Sequence, residues 1–143
     1  MQSEQHDFDL ILILCKTYQN PKVIDLFKES FLGCVGHELI LTLQNGIGNL
    51  EAYSAATDRR VIAGTTTLAS KLNGPADVSL TGDGEISLPA GDDAERIAQT
   101  FELAGFVVGF ENSQELLLWK KLLINCAVNP LTAIHQVHNG ALL

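Results

Sequence analysis

Glu38-Leu-Ile-Leu-Thr-Leu-Gln-Asn-Gly-Ile-Gly-Asn-Leu50 reads as a buried strand (Glu38–Leu43), a tight loop (Gln44–Gly48) and the start of a helix of about two turns around Leu50–Ala56. An apolar run that length, bounded by an Asn-Gly turn, is the pattern of a parallel strand covered on both faces. Upstream, Asp9-Leu-Ile-Leu-Ile-Leu-Cys15 has the same character. Between the two, Pro21 stands near the start of a stretch in which Val23, Phe27 and Phe31, with Ile24 and Leu26, recur at helical spacing and end at Gly33 and Gly36. Downstream, Arg60–Thr67 supplies a third strand. Alternating strand and helix is the signature of a parallel α/β sheet.

Beyond Thr67 the pattern changes. Asp77–Thr81 and Glu85–Leu88 predict short alternating strands joined at Gly82-Asp83-Gly84 as a β-hairpin. Asp92 or Asp93 is placed to cap a helix through Leu103, and Phe106-Val-Val108, between Gly105 and Gly109, predicts a short strand. A long helix is expected from near Ser113, with Glu115 in its first turn, through Leu116–Val128 to Pro130, where the residue before proline leaves helical geometry. No repeat or low-complexity tract interrupts the chain.

Composition narrows the function classes. The 143 residues are 46% hydrophobic and 18% charged, which excludes a disordered or fibrous chain. A net charge of -8, with scattered Lys and Arg, disfavours nucleic-acid partners. No apolar run reaches the roughly 18 residues of a membrane span, and the polar Met1–Asp7 stretch lacks the Lys or Arg of a signal peptide. A soluble, cytoplasmic protein without membrane partners is expected. Cys15, Cys34 and Cys126 show no CxxC spacing and sit among apolar neighbours in sequence, so reduced core thiols are expected. His135 and His138 lack a third ligand and read as surface histidines.

Two constellations can carry chemistry. Gln44-Asn45-Gly46-Ile47-Gly48 follows a strand and opens a helix, but Glu51 stands where a dinucleotide fingerprint needs its third glycine. That leaves either a plain turn or Asn45 as a neutral donor and acceptor at the carboxyl end of a parallel strand, where open α/β sheets bind ligands. The second is Lys121, Asn125 and Asn129, at i, i+4 and i+8 on an otherwise apolar helix. Each step drifts by about 40°, so the three form one stripe. A solvated face is the ordinary reading of such a stripe, yet Asn is a weak helix former and an unusual surface choice at consecutive turns. A lysine beside amide groups suits a carbonyl substrate: the ammonium stabilises and then protonates an oxyanion, and the amides hold hydroxyl or carboxylate oxygens. A Schiff base is the rival use of Lys121.

The segments Leu14-Cys-Lys16, Gln44-Asn-Gly-Ile-Gly48, Gly64-Thr-Thr-Thr67 and Trp119-Lys-Lys-Leu-Leu-Ile-Asn-Cys-Ala-Val-Asn-Pro-Leu-Thr-Ala-Ile134, then Asn139-Gly140, resemble ketopantoate reductase (2-dehydropantoate 2-reductase) across nearly the whole chain. The resemblance implies NADPH-dependent reduction of 2-dehydropantoate to pantoate, in pantothenate and coenzyme A biosynthesis. It implies Lys121 as the catalytic general acid and Asn125, Asn129 and Asn139 as substrate-binding residues, with Lys121 also in contact with the substrate. Asn45 is implied at both substrate and cofactor, and Lys16 and Ser70 at the cofactor, Ser70 through its backbone. Lys120, about 100° around the helix, is the weaker lysine.

The twelve glycines contain no GxGxxG triplet after a first strand. On the resemblance, a further segment of roughly 60 residues, about two βα units, is expected before Met1, and a helical domain beyond Gly140. The expected fold is therefore a partial Rossmann-type parallel α/β sheet with a β-hairpin insertion, running into the first long helix of an α-helical domain. Residues 1–111 are read as the later part of the NADP-binding domain and 112–143 as the start of the substrate domain. Two alternatives stand beside this reading: a related 2-keto or 3-hydroxy acid dehydrogenase, and a non-catalytic fragment or interaction module that forms a homo-oligomer through an exposed sheet edge at Asp9–Cys15.

Overall fold

The computed structural model describes residues 8–30 and 39–142. Its first sheet is the expected parallel one: β1 (Leu10–Ile13), β2 (Leu39–Thr42) and β3 (Arg60–Ala63) lie in that order, with Leu10 opposite Leu39 and Leu39 opposite Arg60. Helices α1 (Asn20–Ser30) and α2 (Asn49–Ala56) lie in the connections. The predicted helix end at Gly33 and Gly36 falls outside the described residues.

β2 is the centre of the fold. Its alternating side chains serve two cores: Ile40 packs with Ile13, Phe27 and Tyr53 beneath α1 and α2, while Leu39 and Leu41 pack on the opposite face with Ile86, Leu88, Ala94, Ile97 and Ala98. Full burial of Ile40 and Leu41 stabilises the fold by roughly 1.5–3 kcal/mol each. β1 departs from the expectation of cover on both faces. Among the described residues it is one of the two edge strands of this sheet, and Leu12 within it and Leu14 just after it are exposed.

At Gly64 the chain changes sheets. A Cβ there would stand 2.8 Å from Leu88 and 2.9 Å from both Leu43 and the Ser87 carbonyl oxygen, so glycine lets the two sheets close on one another. Beyond it, β4 (Thr65–Thr66) pairs antiparallel with β7 (Glu85–Pro89), which pairs parallel with β8 (Val107–Glu111). The predicted hairpin is displaced by one strand. β5 (Ala69–Gly74) pairs with β6 (Asp77–Gly82), turning at Pro75-Ala76, whereas Gly82–Gly84 carries the chain from this ribbon back to the second sheet. Pro75 fixes the first turn residue and Ala76 takes φ +59°, a turn chemistry without the Asp-Gly signal. Gly84 is needed for another reason: a Cβ would lie 2.5 Å from the Thr67 and Leu68 backbone.

α3 (Asp92–Leu103) is preceded by Gly91, which makes no side-chain cap, so Asp92 and Asp93 are first-turn residues favoured by the helix dipole and not caps. The last strand runs past Gly109 to Glu111 because its register follows β7. α4 (Gln114–His135) begins as expected, with Ser113 Oγ accepting the Leu116 amide at 3.2 Å. It does not stop at Pro130. The proline sacrifices one backbone hydrogen bond, but the inward stripe of Leu117, Leu118, Val128 and Thr132 keeps the helix packed through it. A short 3-10 turn at Asn139–Leu142 follows. No helix of the described residues is long and apolar enough to cross a membrane. Cys15 is half-buried and Cys126 exposed, so Cys126 is not the expected core thiol, because it falls on the outer face of α4; Cys34 lies outside the described residues.

Candidate functional site

Three chain segments leave the carboxyl ends of the parallel strands side by side: Cys15-Lys16 after β1, Gln44–Gly48 after β2 and Gly64–Thr67 after β3. This edge is where open α/β sheets receive ligands. Gly46 (φ +95°) and Gly48 (φ +91°) give the middle loop a path that favours glycine, and Asn45 is exposed on it. The Thr17 hydroxyl reaches the Asn45 carbonyl oxygen at 3.5 Å, joining the first two segments.

α4 is brought onto this edge by its own first turns. Gln114 Oε1 accepts the Ala63 amide at 3.2 Å, tying the helix start to the end of β3. Lys120 pairs with Glu111 of β8, and the ammonium's hydrogen bond holds the Glu111 carboxyl below the usual carboxylate range. With the helix so placed, Lys121 and Asn125 fall on its half-buried stripe. Asn125 Nδ2 donates to Asn45 Oδ1 at 3.3 Å. One turn earlier, Lys121 lines a cleft of about 310 Å³ with Thr65, Thr67, Glu85, Ser87 and Glu111.

The remaining predicted residues divide. Lys16 is exposed at the end of β1, its amide bonded to Gln19 Oε1 at 2.9 Å. Asn129 is exposed on α4, because the 40° drift per step turns the third member of the stripe outward. Asn139 starts the terminal 3-10 turn, and Ser70 stands on the β5–β6 ribbon opposite Leu80; both are exposed. Among the described residues, no hydrogen bond joins Asn129, Asn139 or Ser70 to Asn45 or Asn125. His135 and His138 are exposed, and no group of three metal-ligating side chains occurs among the described residues.

Sequence reasoning missed what lies beneath the loop. Asn20, Gln44, Asn49 and Tyr53 are all buried. Gln44 Nε2 donates to the Cys15 carbonyl oxygen and to Asn20 Oδ1, each at 2.8 Å; the Tyr53 hydroxyl donates to the same Asn20 Oδ1 at 2.8 Å. Asn20 Nδ2 donates to Asn49 Oδ1 at 2.9 Å, and Asn49 Nδ2 donates to the Asn45 carbonyl oxygen at 3.3 Å. Burial, aided by nearby Cys15, pushes the Tyr53 hydroxyl from 10 up to about 12. The available signal was three amides (Asn20, Gln44, Asn49) at the ends of apolar segments, where Asn20 was overshadowed by Pro21 and Asn49 by the turn.

A sequence model described as ketopantoate reductase PanE/ApbA matches residues 1–93, and one described as ketopantoate reductase PanE/ApbA C terminal matches residues 114–143. The chain is 38% identical to a 2-dehydropantoate 2-reductase of Vibrio cholerae, covering 94% of this chain and 46% of that protein. It is 32% identical to one of Archaeoglobus fulgidus, covering 96% and 47%. The chain thus spans about half the length of the curated relatives it matches. Among solved structures, the PanE/ApbA family ketopantoate reductase of Ralstonia eutropha superposes with a TM-score of 0.78 at 29% identity, over 94% of this chain and 44% of that one. A D-mandelate dehydrogenase solved with NADH shares the fold, with a TM-score of 0.77 at 23% identity over 93% and 44% of the two chains.

Proposed function

The chain belongs to the ketopantoate reductase family, and from that premise we propose that its residues serve the NADPH-dependent reduction of 2-dehydropantoate to pantoate. The observation that carries the reading is the meeting of Asn45 with Asn125, one turn from Lys121, at the carboxyl edge of a parallel sheet. In the same reading, residues 1–111 are the later part of the cofactor domain and 112–143 open the helical substrate domain.

The residues at the edge fit an anionic dinucleotide: an exposed lysine, Lys16, and an exposed amide, Asn45, follow adjacent parallel strands and are linked through Thr17. Lys16 and Asn45 would hold it, with the Ser70 backbone as a further contact. When bound, the nicotinamide supplies a hydride to the ketone carbon. The chain's own work is at the oxygen. The Lys121 ammonium hydrogen-bonds the ketone oxygen, stabilises the negative charge that grows there and passes one Nζ proton to it, giving the hydroxyl. Asn45 and Asn125 hold the carboxylate and hydroxyl oxygens; Asn129 and Asn139, exposed on this chain, are further substrate contacts only by the family likeness.

NADPH consumption with 2-dehydropantoate tests this. Turnover that disappears in Lys121→Ala and persists in Lys120→Ala supports the assignment; turnover that survives Lys121→Ala contradicts it. A second reading, association of this chain through a sheet edge, is favoured by β1, which among the described residues is an edge strand with Leu12 exposed in it and Leu14 exposed just after it. Sedimentation at increasing concentration distinguishes a self-associating chain from a monomer.

A further inference from the structure

We propose that the buried network of Tyr53, Asn20, Gln44 and Asn49 is a positioning device that aims the Asn45 side chain; the inference deepens, and rests on, the reading of Asn45 as a ligand-holding residue. The four side chains come from α1, the end of β2 and α2, and are only 0–8% exposed. Every buried side-chain nitrogen and oxygen of the described residues has a partner.

The loop cannot set its own geometry. Gly46 and Gly48 have nothing within 4 Å of where a side chain would begin, so the outer half of the loop is unpacked. Its shape has to be fixed from beneath. Gln44 is held at both ends, its backbone amide and side-chain oxygen both bonded to the Thr42 hydroxyl, at 3.3 and 3.1 Å, and its nitrogen to Cys15 and Asn20. From there a directional chain of donors runs from Tyr53 to Asn20, from Asn20 to Asn49, and from Asn49 to the carbonyl oxygen of Asn45. Asn45 is thereby pinned on its backbone while its Oδ1 stays free to receive Asn125.

Apolar side chains would fill this volume with less desolvation penalty than three amides and a phenol. What the polar groups add is direction, since each bond fixes an angle as well as a distance. A network that served only to hold the core together would act on β2 and α2 equally. A positioning network acts on Asn45 and, through it, on Asn125.

Nuclear magnetic resonance on the 15N-labelled 143-residue chain separates the two. In Asn49→Ala, the Asn125 side-chain amide resonances are expected to move toward their positions in Asn45→Ala. The backbone order parameters of residues 45–48 are expected to fall from about 0.85 to below about 0.6, with Ile40 and Leu41 still rigid. Tyr53→Phe, a milder variant that keeps the ring in its core, is expected to shift the same resonances in the same direction by a smaller amount. Asn125 resonances left at their wild-type positions in both variants would overturn the proposal. So would loosening of Ile40 and Leu41 together with the loop. Failure of the functional reading is distinguishable, because it shows as absent 2-dehydropantoate binding in the unmodified chain and leaves these resonances where they are.

Discussion

Asn125 donates its side-chain amide to Asn45 across 80 positions of sequence, joining the first long helix after the sheets to the loop at the end of the central strand. The bond is 3.3 Å long and partly open to solvent, so it adds little to stability. What it does is bring two amides together at the carboxyl edge of the parallel sheet, one helical turn from Lys121.

Removing that bond should therefore separate function from stability. Asn125→Ala is expected to lower the unfolding free energy by about 1 kcal/mol or less, as read by urea denaturation. Affinity for 2-dehydropantoate is expected to fall about tenfold or more, the worth of a lost hydrogen bond to a charged ligand group.

Lys120 should act as an anchor of α4 and not as a reactive group. Lys120→Met removes the partner that depresses the Glu111 carboxyl. A carboxyl whose folded value is depressed stabilises the fold above its unfolded value and loses that contribution as pH falls through the folded one. The stability gap between wild type and Lys120→Met is thus expected near neutral pH and should close on acidification below the usual carboxylate range. Denaturation midpoints across that range measure it.

Tyr53 carries the opposite sign. Its hydroxyl, raised from 10 to about 12, favours the neutral form in the fold, so its contribution is complete below pH 10 and is lost as pH rises through about 12. In an absorbance titration Tyr53 should ionise in a late phase near pH 12, and Tyr53→Phe should remove that phase. At neutral pH that variant should cost about 1 kcal/mol, for one buried hydrogen bond.

Gly64 tests the closure between the sheets. Gly64→Ala places a methyl group 2.8–2.9 Å from Leu88, Leu43 and the Ser87 carbonyl oxygen, and such overpacking is expected to destabilise by about 1–3 kcal/mol. Gly74→Ala, where nothing stands within 4 Å, is the control that should stay near wild type.

The parallel sheet was legible because β1, β2 and β3 each announce themselves as apolar runs separated by helical spacing. The hairpin was not, because Asp83-Gly84 carries the strongest turn signal in the region while the turn that forms uses Pro75 and a left-handed Ala76. Nor was the helix through Pro130, since packing of Val128 and Thr132 outweighs one local preference. At the site, periodicity brought Lys121 and Asn125 to one stripe, and the fold adds Asn45 to them. It also turns Asn129 outward, which four-residue spacing hides because each step drifts. The amides beneath the loop were unreadable for a simpler reason: a buried Asn and a surface Asn look alike until their partners are known.

The central claim is that Asn45, Asn125 and Lys121 together hold a keto acid. The most direct measurement is a titration of 2-dehydropantoate into the 15N-labelled chain, in the presence of NADPH, following the side-chain amides of Asn45 and Asn125. Saturable shifts of both amides, abolished in Lys121→Ala, are predicted; amides that stay unmoved at saturating ligand, or that shift equally well in Lys121→Ala, would contradict it.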